Sequence, residues 1–399
     1  MPLRRKKVVS GPPSVALLIE TSNAYCRDLL QGIRDYLREH HDWAIHLTEL
    51  GRGNAAPWFA DWQGDGIIAR IDTSALETAV RRKGVPVVNV SGAELGPEFP
   101  AVIADGAQLS QFAADHLLER GFRHFGFCGD CRFVWANDYS HHFVSALRRA
   151  GHDCDVFDTQ PEDTTRWRQE RRKLTRWIAS LPKPVGIMVC YDIRGQHVLD
   201  VCRQLGLAVP AEVAVIGQHN DELVCGFCNP PLSSVMPDAR RAGFESARLL
   251  DAMMHGRRRT ARTLKIAPLG VITRQSTDVI AIEDRRLAEA IRFMRENACH
   301  GIGIQDILQQ VPMSRTAFER KFRRQFGHAP YEEIMRIRCQ RARELLSTTR
   351  LAVAEVAERA GFSSGETLCV AFRKRGWSSP RTFRSPHTAR GQSDKLNKS

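Results

Sequence analysis

Over the first 280 residues short apolar runs alternate with amphipathic stretches, and beyond that point the alternation stops. Runs that predict strands fall at 15–20, 44–49, 66–69, 86–90, 124–128, 185–190 and 213–217. Helical patterns lie between them at 27–39, 74–83, 106–120, 139–150, 165–180 and 194–205. Alternation of this kind implies parallel sheets covered by helices on both faces. Two such series in one body predict two similar lobes with a cleft between them. The fold class expected is therefore an α/β two-lobed domain followed by an all-α domain.

Charge divides the chain at the same place. The 399 residues carry a net +13, and residues 281–399 hold 23 Lys+Arg against 13 Asp+Glu. The body before them is close to neutral once the cluster Arg4, Arg5, Lys6 and Lys7 is set aside. A neutral body with a basic C-terminal region suits a polyanionic partner, although charge alone also fits a solvated basic surface. The expected division is a basic tail at 1–13, a two-lobed body at 14–280, and a basic helical domain at 281–399. No run of 18 apolar residues exists, so a membrane span is not expected. The basic N-terminus lacks the apolar core of a signal peptide, and Pro12 and Pro13 follow at once. A cytoplasmic protein with mostly reduced cysteines is expected.

In open α/β sheets ligands sit beyond the carboxyl ends of the strands. There the sequence places Thr21, Ser22, Asn23 and Tyr25, then Tyr191, Asp192 and Arg194, then Gln218, His219, Asn220 and Asp221. Carboxylates, carboxamides and rings suit a polyhydroxylated ligand, since hydroxyl pairs need acceptors and sugar faces stack on rings. The competing role for each Asn or Asp is to cap the following helix. The ligand candidates are Asn23, Tyr25, Asp192, His219, Asn220 and Asp221. Catalytic signatures are missing from the first 280 residues: no G-x-S-x-G, H-E-x-x-H, Walker loop or G-x-G-x-x-G occurs there, so neither an enzyme nor a cofactor is expected. Two C-x-x-C pairs, Cys128/Cys131 and Cys225/Cys228, have zinc or redox spacing. They stand 94 residues apart after different strands, which favours free, partly buried thiols.

The C-terminal region repeats itself at an offset of 50 residues. Ser314, Phe318, Phe322 and Pro330 recur as Ser364, Leu368, Phe372 and Pro380. A short apolar helix precedes each Ser, a tight connection follows it, and the Ser caps the next helix. This is helix, turn, capped helix, twice. Residues just past each cap occupy the positions that reach base edges in a major groove. In the first unit they are Arg315, Thr316, Glu319 and Arg320, with Arg323 and Arg324 a turn later. In the second they are Gly365, Glu366 and Thr367, with Arg373, Lys374 and Arg375 at the far end. Arg suits guanine, Glu suits cytosine N4 and Thr suits the thymine methyl. An amphipathic helix at 331–347, with Ile334, Ile337, Ala342, Leu345 and Leu346 inward, joins the units.

Residues 302–384 resemble an AraC-type DNA-binding domain. The carriers are Ile304 through Pro330, Arg338-x3-Ala342, Leu345-Leu346, Gly361-Phe362, Pro380 and Arg384. Gly376-Trp377 departs from the family, which places Gly second. Residues 14–275 resemble a LacI-type, periplasmic-binding-protein-like effector domain. That likeness rests on 213–217, Asn220-Asp221-Glu222-Leu223, Pro230-Pro231-Leu232-Ser233-Ser234-Val235 and the helix at 239–254. The combination is similar to regulators of the xylose-operon type, as are Trp177-Ile178, Leu181-Pro182 and 274–278. It implies a sugar-responsive, dimeric activator that binds double-stranded operator DNA and works with RNA polymerase, its effector xylose or another pentose. Two departures touch the cleft: His219 stands where the family has an acceptor Asp, and Tyr139 where related domains have a basic residue. They leave open a degenerate cleft that serves only dimerisation.

Overall fold

The computed structural model describes residues 11–40, 42–49, 56–158, 167–256, 262–278, 284–349, 351–375, 377, 379 and 380. The Arg4–Lys7 cluster, Gly376 and Arg384 lie outside them.

The first lobe is a six-stranded parallel sheet. Its strands are β1 (Ser14–Leu18), β2 (Ala44–His46), β3 (Gly66–Ala69), β4 (Val87–Asn89), β5 (Ala101–Ala104) and, arriving much later, β11 (Thr263–Ile266), ordered β11-β5-β4-β3-β1-β2. Helices α1 (Ala24–Glu39) and α2 (Ser74–Arg82) follow β1 and β3. The second lobe has the order β12-β10-β9-β8-β6-β7. It comprises β6 (His124–Cys128), β7 (Cys154–Phe157), β8 (Val185–Val189), β9 (Val213–Gln218), β10 (Ser233–Met236) and β12 (Gly270–Ile272), with β12 alone antiparallel to its neighbour. Its helices are α3 (Gly106–Glu119), α4 (Val134–Arg149), α5 (Trp167–Ser180), α6 (Asp192–Gln204) and the short α7 (Glu222–Phe227).

The chain crosses between lobes three times: from β5 into α3, from β10 into α8 (Ala239–Met254), and from β11 into β12. Helix α8 returns to the first lobe and lies against α1. Their crossing is tight because each offers a glycine: a Cβ on Gly32 would sit 1.8 Å from the Arg240 carbonyl oxygen, and one on Gly243 1.9 Å from that of Leu29. Apolar runs such as Gly-Ile-Ile-Ala in β3 are buried on both sheet faces, which explains why they are continuous rather than alternating.

Expectation and structure differ in definite places. Strands β5, β7, β10, β11 and β12 were not predicted. Each has only three or four residues, and β7 and β11 are half-exposed edges whose polar residues break any apolar run. Helix α4 begins five residues before the expected 139, because its N-cap Phe133 makes no side-chain capping bond and so leaves no start signal.

After residue 284 the described chain is helical: α9 (Arg285–Asn297), α10 (Ile304–Gln310), α11 (Arg315–Phe326), α12 (Pro330–Thr348), α13 (Val353–Arg359) and α14 (Gly365–Lys374). Two cores form. Ile307, Phe318 and Phe322 pack with Leu287, Ile291 and Met294 of α9 and Ile334 of α12. Val356, Leu368 and Phe372 pack with Cys339, Ala342, Leu345 and Leu346 of the same α12. One helix is thus the spine of both units. Its contribution to the first core comes from its amino half and to the second from its carboxyl half.

Candidate functional sites: an interlobe cleft and two DNA-binding units

A cavity of about 370 Å³ opens between the lobes, within the range of small-ligand sites. The first lobe lines it with Tyr25, Arg70, Asn89, Ser91 and Phe99, the second with Trp135, Asp138, Tyr139 and His219. Across the gap the rings of Tyr25 and His219 lie 5.3 Å apart by centroid, and within the second lobe His219 and Trp135 lie 5.7 Å apart and Trp135 and Tyr139 5.5 Å. Phe133 stacks on Trp135 at 5.1 Å, and Tyr191 meets both edge-on. This aromatic wall offers flat apolar surface to a sugar-sized ring.

The polar groups are held in fixed positions. Arg70 donates through Nε to Asp72 at 2.8 Å and through a terminal nitrogen to Cys26 Sγ at 3.3 Å. Burial opposes its charge, but Cys26, Asp72 and Glu20 hold its pKa above the usual arginine range. Ser91 Oγ donates to the other oxygen of Asp72. Burial pushes the Tyr25 hydroxyl up to about 12 and raises Tyr139 as well, so both phenols are neutral. Trp135 is buried, and its indole N–H has no hydrogen-bond partner among the described residues. A buried donor without an acceptor costs roughly 1–3 kcal/mol.

His219 has a φ of +89° and Asn220 of +50°, left-handed conformations that a non-glycine residue adopts only under constraint. The constraint is visible. The Asn220 N–H donates to Ser234 Oγ, and its side-chain oxygen accepts from Arg274 at 2.8 Å. This double anchor throws the His219 ring into the cavity.

Of the six expected ligand residues, the structure brings Tyr25 and His219 to the cavity wall. The other four bond elsewhere. Asn23 caps α1 by accepting from Cys26 N–H, and Asp221 caps α7 by accepting from Val224 N–H. Asn220 is taken by Arg274. Asp192 is buried, accepting from Ser234 Oγ at 2.6 Å and from the Asp221 N–H at 2.7 Å. Arg70, Asp72 and Ser91 were missed, although Arg70 directly follows β3 and Ser91 lies two residues past β4; the strand-end rule applied to every run finds them. Trp135 has no comparable signal, since it sits in the first turn of a helix without a capping residue.

The cysteines of both pairs are thiols rather than disulfides. Burial raises the pKa of Cys128 and Cys228 to about 11 and that of Cys225 further, so none of these three is a ready thiolate. Among the described residues no cluster of His, Cys, Asp or Glu is arranged to hold a metal ion.

In the helical region Ser314 and Ser364 cap α11 and α14 through the N–H groups of Ala317 and Thr367. Arg315, Thr316, Arg320 and Arg323 are exposed on one face of α11, opposite the buried Phe318 and Phe322. Arg315 pairs with the half-buried Glu319 at 2.9 Å, which fixes both side chains on that face. On α14 Glu366, Thr367 and Arg373 are exposed, but the Thr367 hydroxyl already donates to the Ser364 carbonyl at 2.7 Å. Its methyl group remains for a base contact. Gly361, in the turn before α14, has a φ of +81°, and a Cβ there would lie 2.9 Å from the Cys299 backbone. The second turn therefore requires glycine where the first has Pro312.

Comparison with known proteins joins the two halves. Residues 14–105 match the XylR N-terminal domain, 114–277 the periplasmic binding protein-like domain, and 307–385 a helix-turn-helix domain. Over 381 residues the chain is 30% identical to the xylose operon regulatory protein of Escherichia coli (strain K12), covering 93% of this chain and 96% of that protein. The chain belongs to the xylose operon regulator family. The xylose operon regulatory protein of Haemophilus influenzae is 27% identical, over 93% of this chain and 97% of its own. A solved structure of the xylose-binding transcription activator XylR is 28% identical, with a TM-score of 0.62, over 94% of this chain and 98% of that one. The transcriptional regulator CelR in its cellobiose complex, 21% identical with a TM-score of 0.53 over 66% of this chain and 84% of that one, shares the fold of the two-lobed body. As a member of this family the protein is a DNA-binding transcription regulator with a sugar-effector body. Its relatives are regulators rather than enzymes. Among the described residues no helix is long and apolar enough to cross a membrane.

Proposed function

We propose that a neutral monosaccharide, xylose or another pentose, enters the interlobe cleft and controls the binding of the helix-turn-helix units to operator DNA. The observation that carries this reading is the unpartnered indole N–H of Trp135, buried in an aromatic wall of a sugar-sized cavity. Tyr25, His219, Arg70, Ser91, Asp138 and Tyr139 supply the other polar groups, while Asn23, Asp192, Asn220 and Asp221 hold the loops that carry them. On the DNA side, Arg315, Thr316, Glu319, Arg320 and Arg323 of α11 and Glu366, Thr367 and Arg373 of α14 contact the operator. Residues 14–280 sense and dimerise, 281–399 bind DNA, and the protein acts in the cytoplasm as an activator in contact with RNA polymerase. Sugar closes the cleft and shifts the population toward a dimer whose DNA-binding regions reach paired half-sites.

The test is a thermal-shift screen of pentoses and hexoses, followed by operator binding with and without each sugar that registers. A ligand at 100 times its Kd stabilises by about 2.7 kcal/mol. A second reading, in which the cleft is silent and the body only dimerises, is favoured by His219 in place of the family's acceptor Asp. A flat screen combined with an intact dimer selects that second reading.

A further inference from the structure

Arg336 and Arg343 of α12 take no part in either DNA-binding core, yet both reach out of their own domain. The Arg336 guanidinium contacts Glu119 Oε1 at 2.5 Å, at the carboxyl end of α3, while its other nitrogens hold both oxygens of the buried Glu333 at 2.9 Å. Arg295 of α9 adds a hydrogen bond to the Glu119 carbonyl. Arg343 lies 4.3 Å from the ring centroid of Phe112 on α3 and 5.2 Å from that of Trp377 beyond α14. Its Nε and one terminal nitrogen are buried without hydrogen-bond partners among the described residues, as expected of a cation held by rings rather than acceptors.

The register of these contacts is exact in sequence terms. Phe112 and Glu119 are seven residues apart, two helical turns or about 10.5 Å on one face of α3. Arg336 and Arg343 are also seven apart on one face of α12. Phe112 meets Arg343 and Glu119 meets Arg336, so the two helices run past each other in opposite directions with both ends bridged. A further contact lies nearby: Gln325 of α11 donates to the Gly121 carbonyl just after α3.

The position of α3 gives these contacts their consequence. It starts at the first interlobe crossover, and a Cβ on Gly106 would lie 2.5 Å from Asp138 Oδ2 and 3.0 Å from the Tyr139 ring, two residues of the cleft wall. One end of α3 therefore abuts the cleft and the other holds the spine of both DNA-binding units. We propose that Arg336 and Arg343 are positioning residues that clamp α12 to α3, so that both recognition helices travel with the second lobe as one rigid body. Lobe closure then rotates the recognition helices together, with no hinge needed beside the DNA.

The docked geometry stands independently of any ligand, while its regulatory consequence rests on the sugar-sensing reading; two measurements on the full-length protein keep them apart. The first is the rate at which trypsin separates the helical region from the body without sugar. The double variant Arg336→Ala/Arg343→Ala should release it at least about tenfold faster than wild type, and Arg336→Lys, which keeps the charge but loses the fork, should fall between the two. A folded double variant, by circular dichroism and an unchanged melting transition of the two-lobed body, that resists trypsin like wild type overturns the clamp. The second is the ratio of operator affinities with and without D-xylose, typically about 5–150-fold in coupled systems. Loss of the clamp should bring that ratio to within about twofold of unity, and a ratio unchanged in the folded double variant also overturns the proposal. If D-xylose leaves operator affinity unchanged in wild type, the xylose reading fails while the trypsin result still decides the clamp.

Discussion

Replacing Asp192 by asparagine separates a structural carboxylate from a ligand contact. Asp192 is buried, with Ser234 Oγ and the Asp221 N–H donating to it. Gly217 packs so closely that a Cβ there would stand 2.2 Å from one carboxylate oxygen. Burial, reinforced by the neighbouring Asp221 charge and opposed by the two hydrogen bonds, raises its pKa to about 7. In the unfolded chain the same group titrates near 3.9. The native state therefore holds a proton that the unfolded state has lost between roughly pH 4 and 7, and its stability contribution is complete below that window. As pH rises through 7 the contribution disappears, a swing of about 4 kcal/mol at most. Asparagine is neutral at every pH and keeps an acceptor for the Asp221 N–H. Urea unfolding of the two-lobed body from pH 5 to 8 should show a stability difference, variant minus wild type, that grows by about 2–3 kcal/mol, while sugar affinity at a single pH changes less than threefold. Parallel pH profiles would refute the burial argument. A tenfold loss of sugar affinity without a stability change would make Asp192 a ligand contact.

Other substitutions test other links of the same chain. Trp135→Phe keeps the stacked ring but removes the indole N–H, so sugar affinity should fall about tenfold, roughly 1.4 kcal/mol, with the melting temperature nearly unchanged; isothermal titration reads this directly. Gly243→Ala forces a methyl group into the Leu29 carbonyl and should destabilise the first lobe by about 1–3 kcal/mol or more, read as an earlier urea midpoint. Arg315→Ala should cost about 1–3 kcal/mol on the cognate operator and relax one base position, whereas Arg373→Ala should weaken all sequences alike and lower the salt slope by about one. Competition binding on single-base operator variants distinguishes the two. Omitting reductant should leave folding and operator binding unchanged over hours at pH 7, because burial keeps Cys128, Cys225 and Cys228 protonated.

Periodicity, caps and charge were enough to read the architecture of this chain. Continuous apolar runs such as the one at 66–69 signal strands buried on both faces, and Ser314 and Ser364 mark two helix starts 50 residues apart. These are local signals, because burial period and capping depend on neighbours within one or two turns. Short strands such as β11 and β12 were not legible, since three or four residues carry no period. The cleft was legible only in part. Asn23 and Asp221 carry both the cap signal and the ligand signal, and the hydrogen bonds that decide between them are visible only in the folded lobe. For Asp192 and Asn220 the deciding partners, Ser234 and Arg274, are 42 and 54 residues away. Sequence alone thus determined that a two-lobed body precedes two matched DNA-binding units. The tertiary structure decided which polar residues face the cleft, and how α3 and α12 meet through Glu119–Arg336 and Phe112–Arg343, because pairing between distant segments depends on three-dimensional register and leaves no trace in local spacing.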